Sequence, residues 1–165
     1  MRRPPEPRAR YHAQIEAQTQ SFANTLLPAF RELAKTAKIL DMDALKRHPL
    51  IASIDLHVRS AMQNTRVVKV KFYDTQGRTI FSTDATQIGR DYRDNAGFIS
   101  ALEGHPLSEL THRDRFSAFD REIVDRDVLS SYVAMRTAND APSPETTQHA
   151  QLSKSRRIAG ADFKR

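Results

Sequence analysis

The chain has no cysteine among its 165 residues. That absence excludes disulfides, thiolate metal sites and a cysteine nucleophile. It does not identify a compartment, because cysteine-free chains suit either redox setting. Only five glycines are present, too few for a Gly-rich phosphate loop. No apolar run approaches the roughly 18–20 residues that span a bilayer. The opening MRRPPEPRAR carries charge with no apolar segment behind it, so it is not a recognisable secretory signal. On this reading the chain is cytoplasmic. An apolar fraction of 39% supplies a modest core, and the length predicts one domain, or one domain plus tails.

Basic residues outnumber acidic ones by 26 to 20, giving a formal charge of +6. The excess sits mainly at the ends. Residues 1–10 hold four Arg and one Glu, and residues 138–165 hold five basic and three acidic groups. The remainder, 11–137, has 17 basic and 16 acidic residues. Proteins that draw affinity from nucleic-acid phosphates usually concentrate charge on the folded body, so nucleic acid is not the expected partner.

Prolines at 4, 5 and 7 mark residues 1–10 as a disordered basic lead. Residues 11–64 read as helical. Tyr11, Ile15, Phe22, Leu26, Phe30 and Leu33 recur at threes and fours, which is the signature of core packing. Pro28 is expected to kink or split this helix near Leu27. Asp41 or Asp43 can cap a second helix through Arg47. Pro49 interrupts that helix or opens a new one, and Ile51, Ile54, Val58 and Met62 form a further stripe.

From Arg66 the apolar period becomes two, and residues 66–137 read as a sheet region. In VVKVKFYD, Val68, Val70 and Phe72 share one face, with Lys69, Lys71 and Tyr73 on the other. Asp74–Gly77 forms a turn into TIFSTD, so the pair reads as an antiparallel hairpin. A helix from about Asn95 to Leu102 follows, with Gly104 and Pro106 ending it. Residues 108–112 and 116–124 read as further strands, and 127–136 as the last one. Residues 138–165 lack strong periodicity and read as a disordered tail.

Two segments carry a family likeness. RVVKVKFYDTQGRTIFSTDATQIGRDYRDNAGF and SELTHRDRFSAFDREIVDRDVLSSYVAMR resemble PAS-like Cache sensor domains of bacterial membrane histidine kinases and diguanylate cyclases, in which this domain is extracytoplasmic. The resemblance implies an α+β fold, with a long N-terminal helix packed on an antiparallel sheet of about five strands. It covers about residues 11–136. The final strand, the membrane helices and the output domain usual in the family are not recognised here, so the expectation is a truncated sensor domain.

The family pocket lies on the sheet face away from the long helix, under the connection after the hairpin. The resemblance thereby makes Tyr73, Arg90, Tyr92, Arg93, Ser130 and Tyr132 the candidate ligand-binding residues, with Ser131 beside them. An Arg can hold a carboxylate bidentately and a Tyr hydroxyl can orient it. Taken singly, each of these side chains also suits a solvated loop or a half-buried sheet.

His105 and His112 lack metal-ligand spacing. Glu122, Asp125 and Asp127, interleaved with Arg121 and Arg126, read as local charge balance. No nucleophile elbow accompanies the Ser, His and Asp residues near 111–117. No metal, cofactor or catalytic residue is therefore expected. The functional expectation is a non-catalytic signal-sensing domain that takes a small-molecule ligand and forms a homodimer through its N-terminal helix. The alternative is a small basic adaptor, or nucleic-acid-associated protein, acting through its tails.

Overall fold

A computed structural model of the chain describes residues 7–63, 65–118, 122–135 and 148–155. Helix α1 spans Pro7–Ile39, α2 Met42–Arg47 and α3 Pro49–Met62. Strands β1 (Val67–Tyr73) and β2 (Thr79–Ser82) follow, then α4 (Ala96–Leu102), β3 (Leu107–Ser117), β4 (Glu122–Met135) and β5 (Gln148–Ser155). All the strands pair antiparallel, in the order β2-β1-β5-β4-β3. The architecture is the expected one: α+β, a long leading helix on an antiparallel sheet of five strands.

Helix α1 buries one stripe: Ile15, Thr19, Ala23, Leu26, Phe30, Leu33 and Ala37. Fully burying a Phe or Leu contributes about 1.5–3 kcal/mol, so this stripe fixes the helix on the sheet. Phe30 meets Phe72 of β1 edge-on, with ring centroids 5.0 Å apart. Val70, Ile80, Phe81, Val133 and Met135 complete the same core. As alternation predicted, Val70 and Phe72 face the helix.

Three local expectations are corrected. Residues 7–10 belong to α1 rather than to a disordered lead, because a proline is readily accepted in a helix's first turn. Pro28 does not split α1, which is continuous from Pro7 to Ile39. The proline lies on the exposed side, where water can serve the carbonyl it leaves unbonded, while Leu26 and Phe30 anchor both sides of it. Of the two readings of Pro49, the structure bears out the second: it opens α3, and His48 caps that helix by accepting from the Leu50 amide at 3.2 Å. The segments read as three strands over 108–136 form one hairpin of two long strands, and Arg126-Asp127 lies within β4 rather than in a turn. Charged residues at 112–115 are exposed on both faces, which erased the apolar alternation there.

The largest correction concerns the tail. Within 138–165, Gln148–Ser155 forms β5, the middle strand of the sheet, paired to β1 on one side and β4 on the other. The last strand is therefore present, and β4 has no unpaired edge beside residues 128–135. The segment was missed because QHAQLSKS holds a single large apolar residue. That residue and the one alanine nevertheless alternate: Ala150 and Leu152 take register positions opposite Phe72 and Val70. The remainder of 138–165, with 1–6, lies outside the described residues.

Candidate ligand site on the sheet face

The hairpin turn sets the site's outer wall. Asp74 accepts from the amides of Gln76 and Arg78 at 3.0 and 2.9 Å, and Gly77 takes φ +83°. A Cβ at Gly77 would stand 2.5 Å from the Arg93 amide nitrogen, so glycine permits both the turn and the close approach of the next segment. That segment runs back along β2. Gly89 donates to the Thr79 carbonyl at 2.8 Å, Thr79 to Arg90 at 2.9 Å, and Tyr92 to Gly77 at 2.8 Å. It forms a roof over the sheet face opposite α1. Asp84 caps a short 3-10 turn at one end of the roof, and Asn95 caps α4 at the other, accepting from the Phe98 amide at 3.0 Å.

Under this roof Tyr73, Phe98 and Tyr132 are buried together, with Tyr92 half-buried against them. The Tyr73 ring lies tilted against Tyr92 at 5.2 Å and meets Phe98 edge-on at 5.9 Å between centroids. Burial pushes the Tyr132 hydroxyl up to about 12, with Asn95 opposing as a hydrogen-bond partner. Burial likewise raises Tyr73. Both phenols stay neutral and can orient a polar ligand.

Gly97 of α4 packs directly on the Tyr132 ring, so close that a methyl group there would overlap it. Gly97→Ala should destabilise by about 2 kcal/mol, because overlap with the ring puts the overpacking cost near the top of its range of about 1–3 kcal/mol, and the better helix propensity of alanine returns about 1 kcal/mol. Urea unfolding measures the difference. An unchanged midpoint would mean that α4 is not seated on Tyr132.

The strand alternation also buries two lysines on this face. Lys69 is 3% exposed and Lys71 is 6% exposed. Lys69 pairs with Asp84 at 3.6 Å. Burial lowers the Lys69 pKa, although Asp84 opposes it. Burial would raise Asp84, but bonds from Thr86 and Gln87, with Lys69, outweigh it and hold the carboxyl below its ordinary value. Lys71 instead donates to the Tyr92 hydroxyl at 2.8 Å. It forms no ion pair among the described residues. Burial and then Arg90 push the Lys71 pKa down to about 8, Arg113 adding to the effect and Asp84 opposing it.

The structure thus brings Tyr73, Tyr92 and Tyr132 together, with the Arg90 charge acting on their neighbour Lys71. Ser130 is half-buried two residues from Tyr132 on the same strand, opposite Glu109 and Ser153 in register. Arg93 stands apart from the tyrosines: its side chain is 67% exposed and its guanidinium is held by Asp91 at 2.6 Å. Ser131 bonds Ser108 at 2.9 Å. Sequence reasoning set Lys69 and Lys71 on this face without choosing them for the site, and gave no site role to Asp84 or Asn95. The available signal was the alternation of Lys69 and Lys71 with Val68, Val70 and Phe72, in a strand whose other face was already committed to the core.

Two other features lie outside this face. His112 is exposed among Asp127, Asp125 and Asp114, at 3.0, 3.3 and 3.6 Å, and the Asp127 hydrogen bond first of all raises its pKa. No metal-holding group of side chains occurs among the described residues. An open apolar groove of about 230 Å³, lined by Ile15, Phe22 and Val67 among others, runs between α1 and the start of β1. No helix among the described residues is long and apolar enough to cross a membrane.

No protein-family model matches the chain, and no curated protein does. Among solved structures, the chain is similar to the sensor domain of the V. cholerae histidine kinase DctB, at 13% identity and TM-score 0.48. The match covers 88% of this chain and 56% of that one, so this chain spans little more than half of its length. It is also similar to the sensor domain of E. coli DcuS, at 13% identity and TM-score 0.39, covering 82% of this chain and 90% of that one.

Proposed function

We propose that the chain is a non-catalytic signal-sensing domain of a bacterial receptor, and that it takes a small anionic ligand on the roofed face of its sheet. One observation carries the reading. Lys71 is buried, lacks an ion pair among the described residues, and faces a roof that bears the Arg90 charge. A buried cation without a counter-charge is costly, and an anion supplies what is missing. Lys71 and Arg90 hold the ligand's charge. Tyr92, Tyr132 and Ser130 orient it, Tyr73 forms the floor, and Arg93 borders the rim through its Asp91 pair.

The same strand gives the signal a route. Lys71 lies on one face of β1, while Val70 and Phe72 lie on the other against Phe30 of α1. A shift of β1 on binding displaces α1, the element that passes the signal on in this reading. The domain pairs with a second copy through α1, whose apolar groove beside Ile15 and Phe22 supports that contact. Kinase or cyclase output belongs to the receptor of which this domain is the sensing part.

Thermal-shift screening with mono- and dicarboxylates and inorganic phosphate tests the reading. An anion at about 100 times its Kd stabilises by about 2.7 kcal/mol. Arg90→Ala, at an exposed roof position, should weaken that anion by roughly tenfold or more, since a charged hydrogen bond contributes about 1.5–3 kcal/mol. Equal shifts in wild type and Arg90→Ala would reject the site.

A further inference from the structure

We propose that the sheet-face site captures its anion together with a proton, and that the amine of Lys71 is the group that gains it. The inference deepens the ligand reading above and rests on it. Lys71 is walled in on β1. Lys69 lies two residues along the same strand, with its partner Asp84 at the roof's start. Arg90 and Tyr92 come from the roof, and Arg113 from β3. Tyr73, Tyr132 and Glu109 stand behind them. Helix α4, AGFISAL, brings no charge. On β5 the register positions opposite Lys71 and Lys69 are Gln151 and Ser153, neither of them titratable, and His149 stands opposite Tyr73.

The surroundings are therefore predominantly cationic, and the one nearby acid on the roof, Asp84, is already engaged by Lys69. A buried amine in such company sheds its proton at a pH where surface lysines keep theirs, which is the sense of the depression to about 8. A carboxylate or phosphate entering between Lys71 and Arg90 reverses the balance, because the charged amine then has a counter-ion. Anion affinity and proton affinity must rise together, since binding linkage is reciprocal. Affinity should be flat below pH 8 and should fall on the order of tenfold per pH unit above it.

Nuclear magnetic resonance of lysines labelled at Cε, with acetate, malonate and inorganic phosphate as probes between pH 7 and 9.5, tests this directly. Lys71→Arg assigns the resonance and supplies a variant of permanent charge. In the free protein, Lys71 should titrate near 8. A saturating probe should move it toward the ordinary lysine value of about 10.4. Calorimetry at pH 8.5, in two buffers of different ionisation enthalpy, should show proton uptake on binding by wild type and none by Lys71→Arg. If a probe binds at Tyr92 and Tyr132 while Lys71 titrates as an ordinary lysine and no proton is taken up, the proton linkage is overturned and the anion site stands. If no probe perturbs Lys71, Tyr92 or Tyr132 at any pH, both readings fall.

Discussion

A chain ended at Thr147 should not form the sheet. β5 lies between β1 and β4 and pairs with both along its length. Without it, β1 and β4 each turn a row of amides and carbonyls into a gap lined by Val70, Phe72, Val133 and Met135, all of them buried. A buried polar group left unsatisfied costs about 1–3 kcal/mol, and a domain's entire stability is roughly 5–15 kcal/mol. Several such groups exceed the total. The expected result is loss of cooperative urea unfolding and of the strand signal in circular dichroism. Leu152→Pro is the milder companion, since a proline in a central strand removes a ladder donor. It should lower stability sharply in the full-length chain. A truncated chain that still melts cooperatively at wild-type denaturant concentration would show that the sheet closes without β5.

Asp84→Asn should cost about 3–5 kcal/mol, the usual penalty for removing one partner of a buried ion pair. The Lys69–Asp84 pair is enclosed, with side-chain exposures of 4% and 14%. Asp84 also accepts from the Thr86 hydroxyl at 2.6 Å and from the Gln87 side chain at 2.8 Å, so one substitution both strands a buried ammonium and loosens the roof. Lys69→Met in the same chain should restore most of the loss, because it removes the uncompensated buried charge that makes a broken pair costly, and a double-mutant cycle reads the coupling. The pH dependence has a definite sign. The Asp84 carboxyl is held below its unfolded value, so its contribution is present above the ordinary carboxylate pKa of about 3.9 and fades as pH falls through the folded value. Asp84→Asn should lose that part of the acid limb. A variant within about 0.5 kcal/mol of wild type, the range of ordinary surface substitutions, would place the pair in water.

Much of this fold was legible because its strongest elements advertise themselves. The stripe from Ile15 to Leu33 and the alternation of Val70 and Phe72 against Lys69, Lys71 and Tyr73 are periodic signals tied directly to burial. β5 escaped because its position depends on hydrogen bonds to strands distant in sequence, and Gln148–Ser155 has little hydrophobic content of its own. The exposed charges of 112–115 hid the continuity of β3 for the opposite reason, since neither face needed to be apolar. At the site, alternation and the family likeness together put Tyr73, Tyr92 and Tyr132 in one place. Lys71 could not be singled out, because its burial depends on the roof, and the roof's path depends on the Gly77 turn and the bonds from residues 89–92 to β2. Arg93 was grouped with Arg90 by proximity in sequence, yet Asp91 claims it.

The strand order also bears on how the protein is made. On the ribosome, β1 with β2 and then β3 with β4 emerge as two hairpins, each able to zip up from its own turn. The piece that joins them is the last of the five to leave the exit tunnel. Until then, two half-sheets must wait side by side with sticky inner edges, so the nascent chain passes through a stage that suits chaperone capture, and the sheet closes only once β5 has emerged.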